Sequence, residues 1–380
     1  MRATRIEKVE SFVVGHWHIV CVTGENGVKG FGEGTYYTHP LAASQIVEEL
    51  APNYEGQPSF CAERVFSRIL KLHCFRDMAS MGAMSAIDQA IWDLNARTLD
   101  MPVWELLGGR VRDRVRAILL IEAQSAEEMV SKSKAAAEEG FTAIKLKPFV
   151  QDWATKPRAK MLEDVVRAVH AVRAEIGTDI DIAIEIHRNL LPCDIAEFSR
   201  RVASISPYFI EDPVLPYSVD ANRYVASHIE APVALAERNM SIWEFREYSD
   251  SHDIAILRPD IGMCGGFTQG RKIAAIAESR HQRIVPHNFT SPVLTAAHIQ
   301  MAAATPNWDV QGYVREDRQP WLDMVEQVNR IEDGYLVIPD TPGLGIAVNE
   351  EFVRAGDYKP FGNQFQHRGP LASDGGVKHQ

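Results

Sequence analysis

Three glutamates recur 26 residues apart, Glu185, Glu211 and Glu237, and each closes a short apolar run: DIAIE, YFIE and VALAE. Runs this short and rich in Val, Ile and Phe read as buried strands rather than helices. The interval is about one strand, one helix and two turns, the repeat of a parallel sheet. Parallel strands finish on one edge, so the three carboxylates are expected to converge there. Uncompensated acids that close repel one another, and a bound cation is the usual remedy. Ligation by carboxylates alone, with positions left open for substrate, suits Mg²⁺. The plainer alternative is three helix-capping acids that share no site.

Other strand-like runs end in ionisable groups too. TAIKLK supplies Lys145 and Lys147, IEIH adds His187 beside Glu185, ILRPD ends at Asp260 and RIVPH at His287. Each has an ordinary explanation: snorkelling lysines, a helix-capping aspartate, a satisfied core histidine. A strand end needs no charge for stability, however, and a buried charge is costly unless it is paired or binds metal. Jointly these residues point to a catalytic centre.

The elements that must position them follow from the pattern. Residues 7–35 alternate apolar and polar, as antiparallel strands do, and 40–107 carry a helical period that Gly108 and Gly109 end. Eight strand-like runs then alternate with helical segments: 116–121, 142–147, 180–186, 208–211, 233–237, 254–260, 283–287 and 308–312. The clearest helix is 158–176, stopped by Gly177. The expected architecture is α/β, a (β/α)8 barrel (115–333) under an α+β capping domain (1–114), completed by a C-terminal segment (334–380). A doubly wound open sheet is the runner-up, but it would not gather five strand ends around one centre. In a barrel the site lies at the C-terminal ends of the strands.

Composition narrows the class. The 380 residues are 46% hydrophobic with a net charge of −11, which allows a large core and argues against nucleic acid or an anionic membrane as partner. No apolar run approaches 18 residues and the N-terminus lacks a signal core, so a cytoplasmic protein is expected. Five scattered cysteines show no metal spacing and read as reduced thiols. A homo-oligomer acting on a small molecule is expected.

Over its whole length the chain resembles the enolase superfamily, mandelate racemase subgroup. The shared motifs are AIKLKP, FIEDPV, ALAER, LRPDIGMCGG and VPHNFTSPV, with AIWDLNARTLDMPVWELLGG before the barrel and DGYLVIPDTPGLGIAVNE after it. The resemblance implies that Glu185, Glu211 and Glu237 bind Mg²⁺, and that Lys147 and the His287–Asp260 pair face opposite sides of a substrate α-carbon. A lysine or histidine base working with Mg²⁺ is the known chemistry of this superfamily. Lys145 would tune Lys147 by like-charge repulsion or contact the substrate carboxylate. EIHRN is similar to the Asp/Glu-x-His pattern of the galactonate, gluconate and mannonate dehydratases, and a histidine at 187 can protonate a departing β-hydroxyl. A residue that merely orients a metal ligand is the alternative for His187.

Arg188, Trp17, Tyr36 and Glu316 are the candidate substrate contacts. Trp17 and Tyr36, with His16, His18 and Tyr37, fall where capping loops cover the barrel in relatives, although packing inside the first domain is equally open to them. Two positions depart from the subgroup pattern: Glu185 stands where most relatives have Asp, and Gly312 where they have a glutamate, with Glu316 four residues later as its substitute. The implied activity is removal of the C2 proton of an aldonate and loss of its C3 hydroxyl. An epimerase, racemase or lactone cycloisomerase is the nearest alternative, and a non-catalytic sugar-acid binder a more distant one.

Overall fold

The structure, a computed structural model, describes residues 4–73, 77–359 and 371–375; Cys74 and most of the last dozen residues lie outside the described ones. The N-terminal part is an antiparallel meander of β1 (Ile6–Val14), β2 (Trp17–Gly24) and β3 (Lys29–Gly34). The helix Met78–Thr98 lies close across it. Gly30 permits that approach: a Cβ there would meet the Ala90 carbonyl oxygen at 2.2 Å and the Leu94 nitrogen at 2.3 Å.

Eight parallel strands follow: β4 (Arg114–Ile121), β5 (Ala143–Leu146), β6 (Asp181–Glu185), β7 (Phe209–Glu211), β8 (Val233–Leu235), β9 (Ile254–Leu257), β10 (Arg283–Ile284) and β11 (Gln311–Tyr313). Each pairs with its sequence neighbour from β4 to β10, and β11 pairs with β4. The ring closes where Ile284 bridges Trp308 and the Asp309 N–H donates to the Ile284 carbonyl at 2.9 Å. That single bridge is why the last strand begins at Gln311 rather than at 308. Helices cover the outside, among them Arg158–Ile176.

The inside of the ring is filled by Ile118, Ala143, Ala183, Phe209, Ala234, Ile256, Val285 and Val310. They come one from each strand or from a residue adjoining it, as a closed barrel requires and an open sheet does not. This apolar plug is the floor of everything functional above it.

After the barrel, β12 (Ile331–Glu332) and β13 (Tyr335–Val337) form a hairpin that pairs with the first residues of β4, so a boundary at 334 divides a continuous element. The chain then returns to the first domain. The Gly343 N–H donates to Met101 O, and Glu350 and Arg354 pair with Lys29 and Glu10. Among the described residues no helix is long and apolar enough to cross a membrane.

Candidate active site

Side chains on a strand alternate faces, so every second residue above the plug again points inward. One step up lie Leu120, Lys145, Glu185, Glu211, Arg258, His287 and Gly312; two steps up lie Glu122, Lys147, His187, Arg238, Asp260, Phe289 and Val314. A cavity of about 320 Å³ opens onto these layers, lined by Leu120, Glu122, Lys147, Glu185, His187, Glu237, Arg238, His287, Phe289 and Val314, with His16, Trp17 and residues 318–321 from the covering loops. Its size suits a small ligand.

Parallel register places Glu185 directly beside Glu211. Glu237 breaks the alternation: Ala236 is left-handed (φ +84°), and the chain turns so that Glu237 joins the other two. His187, Arg188 and Asp212 also have positive φ. A left-handed conformation in a residue with a side chain costs about 1–3 kcal/mol and clusters where structure is held for function. The oxygens of the three buried glutamates come within 4.8 Å of one another. Three hard donors that close fit a small divalent cation.

The acids are not uncompensated, however, which corrects the simplest electrostatic expectation. Lys145 Nζ lies 2.9 Å from Glu185 and 2.8 Å from Glu211, Arg258 lies 2.8 Å from Glu211, and Arg188 is 2.7 Å from Glu237 and 2.5 Å from Asp212. Arg238 stands 3.4 Å from Glu237 as well, so four carboxylates face four cations and the cluster is formally neutral. A dication would leave it doubly positive, which favours an anionic ligand. Burial, together with the adjacent Glu185, raises the Glu211 pKa against the pull of Arg258 and Lys145. Burial also opposes ionisation of Glu185, but Lys145 prevails and its pKa falls. Burial would lower Lys145; the two glutamates more than offset it, and its pKa is raised.

This alters three expected roles. Lys145 is buried in the glutamate cluster and does not line the cavity, standing one layer below Lys147. Arg188 is likewise committed, its guanidinium bridging Asp212 and Glu237 beneath the cavity wall. Glu316 does not replace a glutamate at 312: its carboxylate is buried away from the cavity and accepts from the Asn329 backbone N–H (3.2 Å) and side chain (2.9 Å). Nor does position 312 have room to spare, since a Cβ on Gly312 would come 3.0 Å from the Pro286 carbonyl oxygen.

The remaining candidates do meet at the cavity. His287 Nδ1 is 2.9 Å from Asp260 Oδ2, and Tyr37 from the first domain places its hydroxyl 2.9 Å from the same nitrogen. Donation from Nδ1–H to the carboxylate leaves Nε2 as the basic nitrogen. Lys147 Nζ is held 2.6 Å from Glu122. His187 is open to the cavity, and desolvation, then the charge of Arg188, lower its pKa to about 4. A lowered pKa makes its imidazolium a stronger proton donor, at the expense of the fraction charged. Trp17 lines the cavity together with His16, whereas His18 is buried inside the first domain on Ser11 (2.8 Å). The side chain of Tyr36 lies outside the described ones.

Comparison with known proteins agrees with this geometry. Residues 128–352 match the family model described as enolase C-terminal domain-like, and residues 9–108 match the mandelate racemase / muconate lactonizing enzyme N-terminal domain. The chain belongs to the enolase superfamily. Within it, the D-gluconate dehydratase of Thermoproteus tenax is 30% identical, the match covering 87% of this chain and 68% of that one. The D-galactonate dehydratase of Verminephrobacter eiseniae is 28% identical, covering 89% and 90%. Among solved structures, an enolase from Agrobacterium radiobacter with bound sodium and L-malate superposes with a TM-score of 0.90 at 25% identity, covering 98% of both chains. Superfamily membership accounts for the barrel and the domain that caps it. Arg258 and Asp212, which neutralise and brace the site, were not singled out from sequence. The signal for Arg258 was the two-residue step from Ile256, whereas Asp212 adjoins Glu211 and has no such signal.

Proposed function

We propose that this enzyme is a Mg²⁺-dependent sugar-acid dehydratase acting at C2 and C3 of an aldonate skeleton to give a 2-keto-3-deoxy acid. One observation carries the reading: a glutamate cluster able to hold a dication, a His–Asp pair and a second histidine, His187, share one cavity. The relatives named as gluconate and galactonate dehydratases support it, as does L-malate, a 2-hydroxy acid, in the Agrobacterium structure.

Glu185, Glu211 and Glu237 would hold the Mg²⁺, which when bound would neutralise charge building on the substrate carboxylate. His287 Nε2 removes the C2 proton. Asp260 fixes the tautomer and stabilises the imidazolium that results. The Lys147 ammonium adds positive charge from the end of β5, away from β10 on the ring. The electron pair released at C2 forms the C2–C3 double bond as the C3–O bond breaks, and His187 protonates the departing hydroxyl to water. The resulting enol then takes a proton at C3 and releases its C2 hydroxyl proton to become the keto acid. An epimerase would instead need Lys147 to return a proton to C2, and it would have no use for an acid at His187.

The test is keto-acid release from a panel of sugar acids, abolished by a chelator and restored by Mg²⁺. Glu211→Gln is expected to weaken Mg²⁺ binding in calorimetry at least about tenfold, because a charged ligand is lost. It should also destabilise the fold by about 3 kcal/mol, since Lys145 and Arg258 lose a shared buried carboxylate. Unchanged Mg²⁺ affinity in this variant would remove the metal from the account.

A further inference from the structure

Three permanent cations line the cavity, and two are already committed: Lys147 to Glu122 at 2.6 Å and Arg238 to Glu237 at 3.4 Å. The third, Arg318, has no carboxylate partner among the described residues. Its guanidinium lies 4.3 Å from the centre of the Trp321 ring, and Trp321 in turn packs edge-on against Trp17 at 6.0 Å. Stacking of this kind fixes the plane of a guanidinium while leaving its N–H fork free.

Trp17 and Trp321 are both buried, and neither indole N–H has an acceptor among the described residues. This wall comes from the segment after β11 and from Trp17 at the start of β2, whereas the glutamates, His187 and His287 stand at or just beyond the ends of barrel strands. The cavity therefore has two separate places for negative charge, one at the glutamate cluster and one at Arg318. The terminal CH₂OH of an aldonate would use only the first.

We propose that the preferred substrate is a sugar acid with a carboxylate at both ends, an aldarate, and that Arg318 binds the distal carboxylate. The proposal rests on the sugar-acid reading of the site given above and names the member of that class. A single guanidinium matches a carboxylate through two parallel hydrogen bonds. A terminal phosphate shares the anionic chemistry, but a dianion against one cation would be left half neutralised.

The test compares matched pairs in the presence of Mg²⁺: D-gluconate with D-glucarate, and D-galactonate with galactarate, with 6-phospho-D-gluconate as a third arm. Affinity by calorimetry and kcat/KM are measured for wild type, Arg318→Met and Arg318→Lys. In at least one pair the diacid should be favoured roughly ten- to a hundred-fold, as expected for charge-assisted hydrogen bonds. That ratio should fall close to one in Arg318→Met and be partly restored in Arg318→Lys. Equal use of both members of each pair, a preference for the phosphorylated acid, or a ratio unmoved by Arg318→Met would overturn the assignment while leaving the dehydratase reading intact. Failure of every sugar acid to bind or react would overturn both.

Discussion

Replacing His287 by asparagine is expected to abolish both exchange of the substrate C2 proton with solvent and keto-acid formation, a loss of at least about 10²–10⁴-fold. Among the described residues no other group offers the same combination at this cavity: an imidazole whose Nδ1 lies 2.9 Å from Asp260 and whose Nε2 is left to accept a proton. Asparagine keeps a polar group but cannot take the proton. Mg²⁺ binding should persist, because the nearest approach of His287 to a proposed ligand, Glu237, is 3.9 Å. Deuterium uptake at C2 that continues in His287→Asn would transfer the base role to Lys147.

Replacing His187 by asparagine is expected to have a comparable effect on dehydration and a different one on exchange. Loss of the acid should lower keto-acid formation by about 10²–10⁴-fold, while His287 can still remove the C2 proton and solvent can return it. Washout of the C2 hydrogen without elimination would be the signature. His187 holds no metal ligand through its side chain; its backbone N–H donates to Glu185 at 3.0 Å, and asparagine can keep that bond. A loss of dehydration smaller than about tenfold would reduce His187 to an orienting role and favour epimerisation as the activity.

Most of the architecture was readable from the chain, because a barrel repeats one motif and its strands are short apolar runs with chemistry at their ends. The interval that joins Glu185 to Glu211 became a direct register pair. Charge compensation was harder to read, because it runs around the ring rather than along the chain. Lys145, Glu211 and Arg258 meet only when β5, β7 and β9 curve about a common axis. That is why neither the pairing of Lys145 with two glutamates nor the presence of Arg258 among them is legible in the chain. The partners of Arg188 and Glu316 are hidden for a related reason. Each lies just past a strand, where a left-handed residue or a loop redirects the side chain, and the sequence carries no signal for that direction.

The central claim is that this site couples C2 deprotonation by His287 to loss of the C3 hydroxyl. Its most direct test is proton NMR of a reactive sugar acid incubated with enzyme and Mg²⁺ in D₂O. The account predicts a 2-keto-3-deoxy acid carrying a single deuterium at C3, because the C2 hydrogen is lost and the enol takes its new proton at C3 from solvent. Recovery of a sugar acid inverted and deuterated at C2, with no keto acid formed, would contradict it.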